Sequence, residues 1–158
     1  MTVVIRYDVA RLSWPARVPV GELPPAQYRT AVRIYYEDTD AGGIVYHANY
    51  LRYFERARTD WLRELGAVHS DLLARDRVGF VVRELVLDYL APARLDDRLA
   101  VDVRLLEARR ASMRLAQVAS DETSGQTRVT ALLRVAAIDP TTGRAVGFPA
   151  WLTEKLIR

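Results

Sequence analysis

The chain has 158 residues, half of them hydrophobic, with a net charge of +3 and no cysteine. That length fits one domain, and the missing cysteines exclude a disulfide framework, a thiolate nucleophile and a zinc–thiolate site. Arginine carries nearly all the positive charge, Lys155 being the only lysine; with no dense basic run and no interleaved aromatics, nucleic acid is not an expected partner, though a modest arginine excess suits an anionic cofactor.

The first eight residues, Met-Thr-Val-Val-Ile-Arg-Tyr-Asp, carry charges where a signal peptide needs an apolar core. No apolar run approaches membrane-spanning length. Nothing argues for export, and the cytoplasm is the expected compartment. Pro15, Pro19, Pro24 and Pro25 break any long element near the start. Residues 1–25 are therefore expected to form an extension, partly ordered at best, ahead of a domain over residues 26–158. From Gln27 to Tyr36 the pattern is strand-like, and a loop from Glu37 to His47 follows.

Tyr50, Tyr53, Phe54, Ala57, Trp61 and Leu65 then fall on one helical stripe, with Arg52, Arg56, Asp60, Arg63 and Glu64 mostly opposite. Asn49 is the expected N-cap and Gly66 the expected stop. A short helix is expected at Ser70–Arg75. Strands are expected at Gly79–Leu90, Arg98–Glu107, Ser112–Ser120 and Arg128–Ile138, split by Asp121–Gly125 and closed by Asp139–Gly143. A last helix is expected over Pro149–Ile157, with Pro149 in its first turn. Strand, helix, then four strands with short turns reads as α+β, one long antiparallel sheet wrapping one helix. Periodicity alone leaves several α+β sheets open.

The densest stretch lies between the first strand and the helix, Tyr35-Tyr36-Glu37-Asp38-Thr39-Asp40-Ala41-Gly42-Gly43-Ile44-Val45-Tyr46-His47-Ala48-Asn49-Tyr50. It sets a carboxylate beside a helix N-terminus, where backbone N–H groups are unpaired. That pairing suits chemistry on a carbonyl, with the acid attacking or activating water and the N–H groups holding the oxyanion. An aspartate in a glycine loop is, by itself, more often a turn residue that caps its own backbone. Gly42 and Gly43 fit a close backbone approach to a ligand and equally a plain turn. Asp38, Asp40 and Gly43 match positions 1, 3 and 6 of an EF-hand loop, but Gly42 stands at position 5 and Asn49 at position 12, where a bidentate Glu is required. No calcium site is expected. Glu55 and Arg58 are a helical i,i+3 pair, and they and Arg56 are expected behind the loop as supporting groups.

The run from Tyr36 to Tyr50, with Phe54-Glu55-Arg56-Ala57-Arg58-Thr59, resembles the signature of hotdog-fold acyl-CoA thioesterases of the 4-hydroxybenzoyl-CoA type, and most of all those associated with the Tol–Pal system. A second block is similar, Phe80-Val81-Val82-Arg83 with Tyr89-Leu90-Ala91-Pro92-Ala93-Arg94-Leu95-Asp96-Asp97. The resemblance covers residues 31 to 98 densely and continues as a strand pattern to about residue 140.

The resemblance implies a hotdog fold and hydrolysis of an acyl-CoA thioester. It places the catalytic carboxylate on Asp40, as nucleophile or as general base for water, and not on Asp38. It places the oxyanion donor on the backbone N–H of His47. Tyr36, Gly42, Gly43, Ile44, Val45, Tyr50 and Phe54 are the implied substrate-binding residues, with Phe80 and Val82 as further candidates for the acyl tunnel. No metal and no separate cofactor are implied, since CoA is part of the substrate. A homodimer, or a tetramer of two dimers, with sites at the sheet interface is implied, and an acyl carrier protein is an alternative carrier. Two other classes stand beside this reading: a non-catalytic acyl-carrier or envelope-associated binding module, and a hotdog dehydratase or hydratase. The sequence lacks G-x-S-x-G, G-x-G-x-x-G and the P-loop pattern, so serine-elbow and nucleotide-fold chemistry lack their loops.

Overall fold

A computed structural model describes residues 19–157. In chain order the elements are β1 (Tyr28–Arg33), α1 (Asn49–Glu64), a single turn α2 (His69–Asp71) that widens over Leu72–Asp76, β2 (Gly79–Tyr89), β3 (Arg98–Arg109), β4 (Ser112–Asp121), β5 (Thr127–Ile138) and α3 (Ala150–Ile157). The five strands form one sheet in the order β1-β3-β4-β5-β2, and every pairing is antiparallel. The expected α+β arrangement is the one observed.

Period-two alternation decides which face each strand buries. Leu99, Val101, Val103 and Leu105 of β3, Leu115 and Ala119 of β4, and Val129, Ala131, Leu133 and Val135 of β5 all point to one core. The α1 stripe of Tyr50, Tyr53, Phe54, Ala57 and Trp61 fills the same core from the other side. Register shifts at Val82/Glu84 in β2 and Leu105/Glu107 in β3 are bulges that bend the sheet around the helix. The β3 bulge also turns Leu106 to the opposite face. There, Leu106, Ala116, Val118 and Leu132 form a second, smaller cluster under Leu23, with Val20 packed on it. Arg104 Nη1 donates to the Pro24 carbonyl, and the Leu105 N–H donates to Gln27 Oε1. Residues 19–27 thus strap the outer face of the sheet. Of the extension expected over residues 1–25, residues 1–18 lie outside those described.

Several local expectations are corrected. The first strand stops at Arg33 rather than Tyr36, because Asp38 Oδ2 accepts the Tyr35 N–H at 2.8 Å and pulls Tyr36–Asp38 into a 3-10 turn. Asn49 is not the N-cap: Ala48 holds that place, and Asn49 Nδ2 donates to the Asp38 carbonyl at 2.9 Å. The short helix begins at His69 and is closed by Arg77 at φ +53°. Gly66 at φ +85° does end α1, and Lys155 of α3 donates to the Leu65 carbonyl there at 2.7 Å. Pro149 sits just before α3, its carbonyl accepting from Leu152 and Thr153. Among the described residues, no helix is long and apolar enough to cross a membrane.

Candidate active site

The stretch between β1 and α1 is a tight hairpin. Thr39 and Val45 bridge antiparallel, Asp40 N–H donates to the Ile44 carbonyl, and Tyr46 N–H donates to the Asp38 carbonyl, both at 2.9 Å. Gly43, at φ +71°, makes the turn and donates its N–H to the Asp40 carbonyl. Asp40 Oδ1 accepts the Gly42 N–H at 2.8 Å, and a Cβ on Gly42 would stand 3.1 Å from that oxygen. The carboxylate is therefore oriented by its own loop, as the bland reading of a glycine-loop aspartate requires. Its other oxygen, Oδ2, has no protein donor among the described residues.

Two side chains and one core residue fix this hairpin to the fold. Val45 is buried and its N–H donates to the Ala93 carbonyl. Asn49 reaches back to Asp38. Tyr89, the last residue of β2, donates its hydroxyl to the His47 carbonyl at 2.9 Å. The His47 ring lies between Tyr46, at 4.4 Å, and Tyr89, at 6.4 Å. The backbone N–H groups of His47 and Ala48 make no hydrogen bond among the described residues. They are the open donors of the α1 N-terminus. Asp40, Gly42, Gly43, Tyr46 and His47 are all exposed.

Asp40 and His47 thus share one hairpin, but no hydrogen bond or ion pair joins them among the described residues. Tyr36 is 83% exposed and, among the described residues, only its carbonyl is engaged, by Thr39. Ile44 is half-buried. Tyr50 and Phe54, expected as tunnel lining, are core residues in the protomer. Tyr50 packs edge-on to Tyr53 and Tyr89. Burial raises the hydroxyl pKa of Tyr50, Tyr53 and Tyr89 above the ordinary tyrosine value, with Asp38 adding to the effect at Tyr53.

Residues 34–156 match the family model described as the thioesterase-like superfamily. The chain belongs to that superfamily. It is similar to the acyl-CoA thioesterase YbgC of Haemophilus influenzae, at 43% identity over 118 residues, covering 75% of this chain and 85% of that protein. It is similar to the acyl-CoA thioester hydrolase YbgC of Escherichia coli O6:H1, at 50% identity over 86 residues, covering 54% of this chain and 63% of that protein. Among solved structures, a probable thioesterase from Bartonella henselae superposes with a TM-score of 0.73 at 30% identity, covering 77% of this chain and 98% of that one.

This thioesterase-like chain holds a second feature that sequence reading missed. Gln117 is fully buried on the inner face of β4. Its Nε2 donates to the Phe54 carbonyl at 3.0 Å, and its Oε1 accepts from Arg58 Nη1 at 2.7 Å. Arg58 Nη2 donates in turn to Glu55, whose other oxygen accepts from Thr59. Burial lowers the Arg58 pKa, and Glu55 works against that. The signal was present: Gln117 is the one polar residue in the inward series Met113, Leu115, Gln117, Ala119. Beside this network lies a cavity of about 380 Å³, with Phe80 and Val82 of β2 in its wall. Glu55 and Arg58 therefore border that cavity rather than the hairpin, and Arg56 lies over the Tyr53 ring at 5.5 Å.

Proposed function

We propose that the protein hydrolyses acyl-CoA thioesters in the cytoplasm, with Asp40 as the carboxylate of the chemical step. One observation carries this: a carboxylate with one free oxygen and the two unpaired N–H groups of a helix start are held in a single hairpin. In one route Asp40 attacks the thioester carbon, the C–S bond breaks, CoA leaves as a thiolate that takes a proton, and water then splits the mixed anhydride. In the other, Asp40 takes a proton from water and the resulting hydroxide attacks. In both, negative charge grows on the carbonyl oxygen, and the N–H of His47 with that of Ala48 stabilises it. One such donor is worth roughly 10²–10³ in rate. The absence of any bond between Asp40 and His47 favours the main chain of His47 over its imidazole as the working group.

The relatives' names support the substrate class, as does a Thermus thermophilus thioesterase solved with coenzyme A, which superposes at a TM-score of 0.70 and 25% identity. A binding module gains nothing from a freed carboxylate oxygen. A hydratase would need an acid–histidine pair, and Asp40 and His47 are not paired.

The site also needs cover. Carbonyl chemistry of this kind works best with water excluded, yet the hairpin is exposed in one protomer. The edge of β2 supplies a partner surface: among the described residues β2 pairs only with β5, and Val82, Tyr89 and the adjacent Leu90 are more than 40% exposed. Antiparallel pairing of two β2 edges would set the hairpin end of one copy, at Tyr89, against the cavity end of the other, at Gly79–Val82. The proposed working unit is this homodimer.

Asp40→Asn tests the assignment. It keeps the Gly42 bond and removes the charge, so it should fold normally and lose at least ~10³ in kcat with little change in KM. Retention of half the wild-type kcat would show that Asp40 is only a turn residue.

A further inference from the structure

Glu55 is an exposed glutamate that the core holds in place. Its side chain is 54% exposed, yet both carboxylate oxygens are engaged, one by Arg58 Nη2 and the other by the Thr59 hydroxyl at 3.0 Å. Arg58 is itself buried, and its other terminal nitrogen donates to Gln117, which is fully buried and tied to the Phe54 carbonyl. A surface ion pair contributes little to stability, and buried ionic groups can often be replaced by apolar ones without loss. An arginine and a glutamine buried beneath one carboxylate therefore serve its orientation more than the stability of the fold. Glu55 lines the cavity beside α1. In the same wall, His69 Nε2 is buried and has no hydrogen-bond partner among the described residues. A fixed acceptor and an uncommitted imidazole nitrogen make a wall that can hold water.

Glu55 is badly placed to serve its own hairpin. It lies six residues beyond Asn49, where α1 begins, or ~9 Å along the helix axis. Both of its partners follow it in the chain, Arg58 in the next turn, so they draw the carboxylate away from Asp40. A group that moves a proton has to come within about 3 Å of the atom that bears it. The pairing of two β2 edges changes this geometry. It brings the hairpin of one copy to the Gly79–Val82 end of the other, and those residues share the cavity wall with Glu55.

We propose that the partner's Glu55 completes the site at Asp40 by activating the water that frees the product. This role rests on the thioesterase reading and on the β2 pairing. In the route where Asp40 attacks, its carboxylate is occupied once the mixed anhydride has formed and CoA has left. Asp40 cannot then deprotonate water, so a second base is required. The partner's Glu55 takes a proton from water as the water oxygen bonds to the acyl carbon. The bond from that carbon to Asp40 breaks, its electron pair returns to the Asp40 carboxylate, and the free acid departs. The proton on Glu55 then passes to solvent.

Mixed dimers test this placement. Asp40→Asn and Glu55→Gln chains are co-expressed under two different tags, and the doubly tagged dimer is purified beside both parents and assayed with acyl-CoAs. The Glu55→Gln homodimer should keep its mass and its KM and lose ~10²-fold or more in kcat. It should release about one CoA per site in a burst and then stall, because acylation of Asp40 still proceeds. The mixed dimer holds one intact Asp40 facing one intact Glu55, so it should recover about half the wild-type kcat. A mixed dimer as inactive as its parents would place Glu55 on its own hairpin and overturn the proposal, as would a Glu55→Gln enzyme with half the wild-type kcat. Slow release of CoA without a burst would overturn the role in the second step. Should Glu55→Gln fail to fold, Glu55→Asp enters the same pairing, since it keeps the charge and shortens the reach by one methylene. A wild-type protein that hydrolyses no acyl-CoA would instead sink the thioesterase reading.

Discussion

Tyr89 ties a strand end to the hairpin through one hydroxyl, and the bond goes to the carbonyl of His47 while the N–H of His47 stays open. That division fixes the peptide plane that carries the proposed oxyanion donor. Tyr89→Phe should therefore lower kcat several-fold, leave KM nearly unchanged, and cost about 1 kcal/mol of stability or less; steady-state kinetics with thermal melts will show whether the loss is one of positioning. A second residue-scale expectation concerns acid. At Asp102 burial alone would raise the pKa, but Arg29 and Arg104 outweigh it and hold the carboxyl below its ordinary range. Asp121 is pulled down to about 2, first by the Ser124 N–H, then by the Ser124 hydroxyl and Arg128. Both groups bind protons more weakly folded than unfolded. Their contribution is full above the unfolded value of ~3.9 and is lost as pH falls toward ~2. The melting temperature should stay level above about pH 5 and drop between ~4 and ~2; Asp121→Asn should flatten part of that drop. Asp40, Gly42, Gly43 and His47 could be picked out in the sequence because they sit together in it. The role of Tyr89 could not, since it depends on where an eleven-residue strand ends in space.

The α1 helix was legible because its stripe is long and regular, and its buried face holds that stripe as far as Trp61, together with Asn49, Arg58 and Leu62. The strands were legible from alternation, but their ends and bulges were not. Tyr36 is apolar enough to extend β1 on pattern, and only the bond from the Tyr35 N–H to Asp38 stops it. Asn49 has the right chemistry for a cap, but its amide serves the hairpin. The tie between α1 and β4 is the element-scale feature with the clearest energetic consequence. Gln117→Leu would leave Arg58 Nη1 without its acceptor in the core, and a lost bond to a charged group costs about 1.5–3 kcal/mol. Denaturant unfolding should show a loss of that size. The double change with Arg58→Met should recover much of it, because no unpaired charge then remains. Full additivity of the two losses would mean that the pair is not coupled.

The whole molecule joins a curved sheet, one long helix and a strap on the outer face. The α+β class was readable from element order, whereas the strand order β1-β3-β4-β5-β2 was not, since local periodicity carries no information on which strands meet. The proposed pairing through β2 has a measurable signature. A protomer of 17.9 kDa should sediment at twice that mass, and dilution below the dissociation constant should lower specific activity together with mass. Full activity in a stable monomer would separate the site from the interface. The two edges of the sheet are unlike, and this has a consequence of another kind. β1 is six residues long and carries Arg29 and Arg33 on its exposed positions, while β2 is eleven residues long and exposes Val82 and Tyr89 beside Arg83. A short, charged edge resists joining further strands. In the language of polymer chemistry, the proposed pairing makes the sheet a monofunctional unit: with one reactive end, strand addition would terminate at the first union and would not propagate into a fibre.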